Sequence, residues 1–161
     1  MGQQAVVVKN GKRICGSGAA LANCHISQNK AYFEIKIQSS GTWGVGLATP
    51  KVNLDQVPLG TDKESWVLRD NSTVWHNSEQ IKKLDNLMLQ EGDTIGISYD
   101  HVEICFYING KHSGISILGM RGSLYPTVYV DDGAILDVEF SRFHHDPPFG
   151  FSEILFEKHL L

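Results

Sequence analysis

Alternation of apolar and polar residues at every second position constrains the fold of this chain more than any other feature of its sequence. In the stretch YFEIKIQ, Phe33, Ile35 and Ile37 alternate with charged or amide side chains. Successive side chains of a β-strand point to opposite faces, so this pattern predicts a strand with one buried face and one solvent-facing face. The same period recurs in residues 95–99, 102–108 and 136–140. The pattern predicts an all-β protein.

The segments between the predicted strands favour antiparallel pairing. Asn10-Gly11 follows AVVVK, and Asn109-Gly110 follows VEICFYI. Both dipeptides are favoured in two-residue hairpins, because each central residue of such a turn takes a positive φ. The sequence lacks the long helical patterns that would connect parallel strands. It therefore predicts an antiparallel β-sandwich or barrel.

The C-terminal residues depart from this pattern. Pro147-Pro148 close an irregular stretch, Ser152 is a favourable helix N-cap, and Glu153 would lie in the first turn. We predict one short C-terminal helix over residues 152–159. The residues expected to pack it against the domain are Ile154, Leu155 and Leu161.

Length, charge and hydropathy exclude several classes of partner. A chain of 161 residues that is 42% apolar has the size of one domain with one core. Its formal net charge is −4 and no segment concentrates Lys and Arg, so we expect no nucleic-acid partner. No apolar run approaches the roughly 18 residues of a membrane span, and the N-terminus lacks a signal-peptide pattern. We expect an intracellular protein of the cytoplasm or nucleus that has no membrane partner.

The residues that commonly bind metals or form disulfides show no matching spacing. Cys15, Cys24 and Cys105 are odd in number and form no Cys-x-x-Cys pair, which is typical of free thiols in a reducing compartment. His144-His145-Asp146 matches no zinc-ligand pattern, and we interpret it as a connector. The sequence predicts neither a metal nor a cofactor.

The glycine-rich stretch GTWGVGLAT, residues 41–49, does not match a phosphate-binding loop. A dinucleotide fingerprint requires Gly-x-Gly-x-x-Gly before a helix, and a P-loop ends in Gly-Lys followed by Ser or Thr. Here Leu47-Ala48-Thr49-Pro50 follows, with no amphipathic helix to direct its N-terminus at a phosphate. We interpret these glycines as strand residues that permit close packing.

Seven motifs occur in an order that resembles the SPRY domain family. They are YFEIKI, GTWGVGLAT, LGTDKESWVLR, VWHN, EGDTIGISYD, CFYINGK and LYPTVYV. The resemblance runs from Tyr32 to Phe140, and GDTIGISYD followed closely by FYING is its most specific part. It implies a single SPRY domain over residues 1–161, folded as a bent antiparallel sandwich of concanavalin-like architecture. It also implies a non-enzymatic module whose loops at one end bind a partner protein or a short peptide. We expect the module to be monomeric.

The resemblance assigns several residues to that binding end. It places Thr42 and Trp43 there, and it places Asp55 in the loop VNLDQV before the LG…SW motif. The turn Asp131-Asp132-Gly133 fits two roles, either backbone geometry between apolar strands or part of the binding rim. We predict a partner-binding surface that includes all five: Thr42, Trp43, Asp55, Asp131 and Asp132.

The same two loops depart from the pattern of peptide-binding relatives. Those relatives often carry an aromatic side chain in the loop held here by VNLDQV and another in the turn held here by Asp131-Asp132. Neither aromatic residue is present. The departure weakens the expectation of an asparagine-rich peptide ligand and favours a polar or basic target.

Two other functions fit parts of the sequence. A lectin-like carbohydrate-binding module shares the sandwich architecture, but the chain lacks a secretion signal and a convincing metal site. A hydrolase could use Asp131 and Asp132 with a histidine, but paired catalytic carboxylates usually come from separate strands. We therefore prefer the interaction module.

Overall fold

The computed structural model describes residues 1–23, 25–84 and 88–153, and its regular structure in these ranges is entirely β. The strands, in chain order, are β1 Ala5–Val8, β2 Arg13–Gly16, β3 Gly18–Leu21, β4 Ala31–Ser39, β5 Thr42–Ala48, β6 Ser65–Arg69, β7 Thr73–His76, β8 Glu79–Lys83, β9 Thr94–Tyr99, β10 Glu103–Ile108, β11 Lys111–Leu118, β12 Tyr125–Asp131 and β13 Ile135–Glu139.

These strands form two antiparallel sheets packed as a sandwich. One sheet has the order β1-β2-β13-β4-β9-β10-β11, and the other has the order β3-β12-β5-β6-β7-β8. Apolar side chains of both sheets meet in one continuous core. The all-β antiparallel fold predicted from the alternating pattern is confirmed, and of the two predicted architectures the sandwich is the one observed.

The alternating positions supply that core as predicted. Phe33, Ile35 and Ile37 on β4 are each no more than 1% exposed, as are Ile97 on β9 and Phe106 on β10. Burial of a large apolar side chain stabilises the fold by about 1.5–3 kcal/mol.

The other face of β4 is not uniformly solvent-facing, which corrects the sequence prediction. Glu34 is only 1% exposed, and the backbone of His144 and His145 lies against its carboxylate. Its carboxylate accepts hydrogen bonds from the backbone N–H groups of His144 and His145, at 2.6 and 3.2 Å, and from the Tyr32 hydroxyl at 2.9 Å. Hydrogen bonds of this kind offset the cost of burying a carboxylate. The His144-His145 stretch therefore fastens the C-terminal segment to the sheet.

Turn geometry follows the sequence in one hairpin and differs in another. Asn109 and Gly110 have φ values of 50° and 85° and join β10 to β11 as a two-residue turn, as predicted. The Asn10-Gly11 hairpin also forms, but Val8 pairs with Arg13, so its loop has four residues rather than two. Lys9 takes a positive φ as well, which accommodates the longer loop.

A long loop covers the outer face of the six-stranded sheet. Residues 49–64 bring Val52 and Leu59 onto Val67 and Tyr129, which forms a second, smaller apolar cluster. The loop also reaches the free edge of β3, where the Leu54 carbonyl accepts a hydrogen bond from the Ala19 N–H at 2.9 Å. The Gly2 N–H donates to the Ala19 carbonyl at 2.8 Å on the same edge.

The glycines of β5 serve this packing, in agreement with their interpretation as strand residues. A Cβ added at Gly44 would lie 2.1 Å from Cε2 of Tyr129. One added at Gly46 would lie 1.9 Å from the Trp66 carbonyl oxygen on β6. Only a residue without a side chain fits at either position.

The predicted C-terminal helix falls mainly on residues 154–161, which lie outside the described residues, as does Cys24. Ser152, its predicted N-cap, forms an isolated parallel bridge with Ala31. Within the described ranges there is no helix long and apolar enough to cross a membrane. Cys15 and Cys105 are free thiols.

Candidate partner-binding surface

Strand register brings two of the predicted binding residues together. Asp131, the last residue of β12, pairs with Thr42, the first residue of β5. Directly paired residues on antiparallel strands have Cβ atoms about 5 Å apart. Both side chains are partly exposed at this end of the six-stranded sheet.

The turn after β12 projects a second carboxylate. Asp132 is exposed and has a φ of 54°, and Gly133 follows with a φ of 83°. The Asp131 carboxylate accepts the Asp132 N–H at 2.8 Å, and the Asp131 carbonyl accepts the Ala134 N–H at 3.1 Å. The turn carries the chain from the six-stranded to the seven-stranded sheet, so β12 and β13 do not pair with each other as a hairpin.

Trp43 does not reach this surface. Its side chain is 2% exposed and belongs to the core between the sheets. Thr42 and Trp43 are consecutive on a strand, so they face opposite sides, and only Thr42 remains accessible. Trp43 therefore does not belong to the exposed surface at this end.

Asp70 lies at the same end although the sequence reasoning did not select it. Its N–H donates to the Trp43 carbonyl at 3.0 Å, which places it beside the start of β5. The guanidinium of the neighbouring Arg69 donates to the Leu59 carbonyl at 2.8 Å and lies over the Trp75 ring, 4.2 Å from its centroid. The position of Asp70 at this end follows from the pairing of β5 with β6, which cannot be read from the sequence.

Asp55 extends the surface past the edge of β3. It is exposed, and its carboxylate accepts the Gln3 N–H at 2.7 Å. With Gln4 and Ser17 these residues line a shallow depression of about 360 Å³. Since Gly18 on β3 pairs with Val130 on β12, the depression adjoins the strand that ends at Asp131.

We call the set Thr42, Asp55, Asp70, Asp131 and Asp132 the acidic end. Among the described residues the ion pairs are Arg13 with Asp137 and Glu34 with His145, so no ion pair involves any of the four aspartates. Asp70 does interact electrostatically with the neighbouring Arg69 guanidinium. The carboxylates of Asp55, Asp131 and Asp132, which form no ion pair with a described residue, produce a negative potential at this end that attracts cationic ligands. The described residues contain no cluster of three or more His, Cys, Asp or Glu suited to holding a metal ion.

Comparison with known families identifies the domain. The family model of the SPRY domain matches residues 30–143. The chain belongs to the SPRY domain family. The SPRY family consists in general of protein-interaction modules rather than enzymes.

Two kinds of known protein resemble the chain over most of its length. It is 55% identical over 161 residues to SPRY domain-containing protein 7 of Homo sapiens and of Mus musculus, an alignment that covers 99% of this chain and 82% of each relative. Ran-binding protein 9 of Xenopus laevis is 33% identical over 117 residues, which cover 69% of this chain and 21% of that protein.

A solved SPRY structure supports the fold. The SPRY domain of human HERC1 superposes with a TM-score of 0.68 at 21% sequence identity, over 85% of this chain and 92% of that one. The family-model match and the 55% identical relatives confirm the recognition of an SPRY domain from its motif order.

Proposed function

We propose that this SPRY domain is a non-enzymatic, intracellular interaction module that binds a basic segment of a partner protein through the acidic end. One observation carries the proposal: Asp131, Asp132 and Asp70 lie at neighbouring strand ends, with Asp55 on the loop beside β3. No ion pair among the described residues involves any of these carboxylates. A basic partner would supply the missing charges and gain both association rate and specificity from them.

The shape of the acidic end favours an extended segment over a small molecule. From Asp55 across β3 and β12 to β5 and Asp70, the carboxylates span several strands spaced about 4.8 Å apart. No aromatic side chain of the predicted set is exposed there, because Trp43 lies in the core. Specificity would therefore come from spaced charges and from hydrogen bonds to Thr42 and the turn.

The test uses a charge change that preserves the turn. Asn accepts a hydrogen bond as Asp does and tolerates the positive φ of position 132, so Asp131→Asn with Asp132→Asn removes two charges and little else. The matched control is Glu79→Gln with Asp146→Asn, which removes two charges at positions away from the acidic end.

A random peptide library selected on the wild-type domain supplies the ligand. We expect enrichment of Lys- and Arg-containing peptides whose affinity falls about tenfold in the Asp131/Asp132 variant and stays unchanged in the control. Selected peptides without basic residues, or an equal loss of affinity in both variants, would refute the proposal.

A further inference from the structure

A cleft of about 530 Å³ opens at the opposite end of the six-stranded sheet. It lies where β5 ends at Ala48 and β6 begins at Ser65, which pair directly. Strand β5 separates the cleft from Thr42 by about 20 Å at 3.3 Å per residue. A second cavity of about 380 Å³ continues it and shares Trp66, His76 and Gly119 as lining. Together the two form one elongated groove.

The floor of the groove is a stacked pair of rings. Trp66 and His76 lie with their centroids 4.3 Å apart and their planes within 6° of parallel. The Ser65 carbonyl, 2.9 Å from His76 Nδ1, can only accept, so Nδ1 carries the proton of that hydrogen bond. The orientation of the imidazole is thereby fixed. No other hydrogen bond to the ring comes from the described residues, which leaves Nε2 for a ligand.

The walls of the groove are cationic although the chain as a whole is acidic. Lys51, Lys63 and Arg121 line the larger cavity, and Lys82 lines the smaller one. None of the four has an ion-pair partner among the residues the structure describes. Glu64 is the one acidic residue in the lining of these cavities, and its carboxylate accepts a hydrogen bond from the Thr49 hydroxyl.

The conformation of the loop between β11 and β12 places Arg121 at the groove. Gly119 and Gly122 have φ values of 87° and 91°, and a Cβ at either would meet nothing within 4 Å. Their role is therefore backbone conformation rather than packing. Between them Met120 packs against the core and Arg121 is exposed at the groove.

An apolar position accompanies the charges. Leu118, the last residue of β11, is 65% exposed and lines the smaller cavity next to the partly buried Ile81. Exposed apolar surface rimmed by polar residues marks sites of protein interaction more often than isolated exposed side chains do.

We propose that this groove binds an acidic linear segment of a protein, and that it is a second binding surface, distinct from the acidic end. An apolar residue of the segment would lie against Trp66 and Leu118, and carboxylates on either side would face Lys51, Lys63, Lys82 and Arg121. The cations sit on separate loops along an open groove, which suits several spaced charges better than one compact anion. Such rim charges accelerate association, and the apolar contact slows dissociation.

The probe is a fluorescein-labelled peptide of repeated Glu-Glu-Leu-Glu-Glu units, followed by anisotropy, with a Gln-for-Glu peptide as its uncharged counterpart. Lys63→Gln with Arg121→Gln removes two groove charges. Lys111→Gln with Arg142→Gln removes the same charge from positions outside the groove. Leu118→Ser removes the apolar contact without changing the charge. In parallel, nuclear magnetic resonance follows the His76 ring signals during the titration.

We expect the acidic peptide to bind, to shift the His76 signals, and to lose about tenfold in affinity in the Lys63/Arg121 variant but not in the Lys111/Arg142 variant. Leu118→Ser should weaken it several-fold, and the Gln peptide should bind at least about tenfold more weakly.

Four results would overturn the proposal. They are no binding up to about 1 mM peptide, equal losses in the two charge variants, unchanged His76 signals, and binding to phosphatidylserine vesicles in place of the peptide. Self-association that Asp131→Asn with Asp132→Asn abolishes would assign the groove to a second copy of the chain and would likewise refute it. Because the groove variants leave the acidic end intact, failure here is distinguishable from failure of the proposed function.

Discussion

Replacement of Gly44 by Ala tests whether the glycines of β5 are packing residues. The new methyl group would lie 2.1 Å from Cε2 and 2.4 Å from Cζ of Tyr129, well inside ordinary contact distance. The ring is fully buried beneath residues 49–64 and cannot rotate into solvent. Overpacking of a rigid site costs about 1–3 kcal/mol, and this contact belongs at the upper limit, about 3 kcal/mol.

A double-variant cycle isolates the clash from other effects. Tyr129→Leu alone should cost about 3 kcal/mol because it leaves a cavity. In the combined variant the methyl group introduced by Gly44→Ala occupies part of the vacated space, so the total cost should fall about 2 kcal/mol short of the sum. Tyr129→Phe should give no such relief, since Cε2 and Cζ remain in place.

Urea unfolding, followed by tryptophan fluorescence, measures the free energy of unfolding of each variant. Unchanged m-values show that the variants expose the same surface on unfolding, so their free energies can be compared directly. Gly92→Ala is the control: its Cβ would meet nothing within 4 Å, so only its φ of 89° opposes Ala, at about 1 kcal/mol. Additive costs for Gly44→Ala and Tyr129→Leu, or a Gly44→Ala cost no larger than that of Gly92→Ala, would refute the packing explanation.

Three further outcomes follow from the structure. Phe106→Ala, at a fully buried position of β10, should destabilise the domain by about 3–5 kcal/mol in the same unfolding assay, and a loss below about 1 kcal/mol would contradict its place in the core. Burial raises the pKa of the Cys105 thiol, which keeps it protonated and unreactive in the folded domain. In a Cys15→Ser, Cys24→Ser variant, a disulfide reagent at about pH 8 should therefore react slowly until guanidinium unfolds the chain. Rapid reaction of the folded variant would contradict this. Neither EDTA nor a reducing agent should lower the melting temperature, and a drop of several degrees with either would reveal a metal or disulfide that the sequence prediction excluded.

The strands were predictable from sequence because their signal is local. Phe33, Ile35 and Ile37 identify β4 by their spacing alone, and Asn109-Gly110 identifies its hairpin by the φ values that it permits. The burial of Glu34 was not predictable, because the His144 and His145 groups that cover it lie 110 and 111 positions later in the chain.

The candidate surfaces depended more strongly on tertiary structure. Motif order placed Thr42 and Trp43 near one end of the sandwich, but which of them faces the core depends on how β5 pairs with its neighbours. Asp70 joins the acidic end only through the β5–β6 register. The groove cations Lys51, Lys63 and Arg121 are far apart along the chain, so no window of sequence shows them as a group.

The hydrogen bonds of Gly2 and Leu54 to Ala19 matter for solubility as well as for the fold. An uncovered edge strand offers unpaired N–H and C=O groups to other chains and so promotes intermolecular sheet formation. Here both backbone groups of Ala19 are occupied within the same molecule. At the far edge of the same sheet, β8 is short and carries Lys82 and Lys83 on exposed positions, which repel an approaching strand. If the N-terminal residues around Gly2 leave the edge of β3, concentration-dependent aggregation should therefore increase before the melting temperature falls.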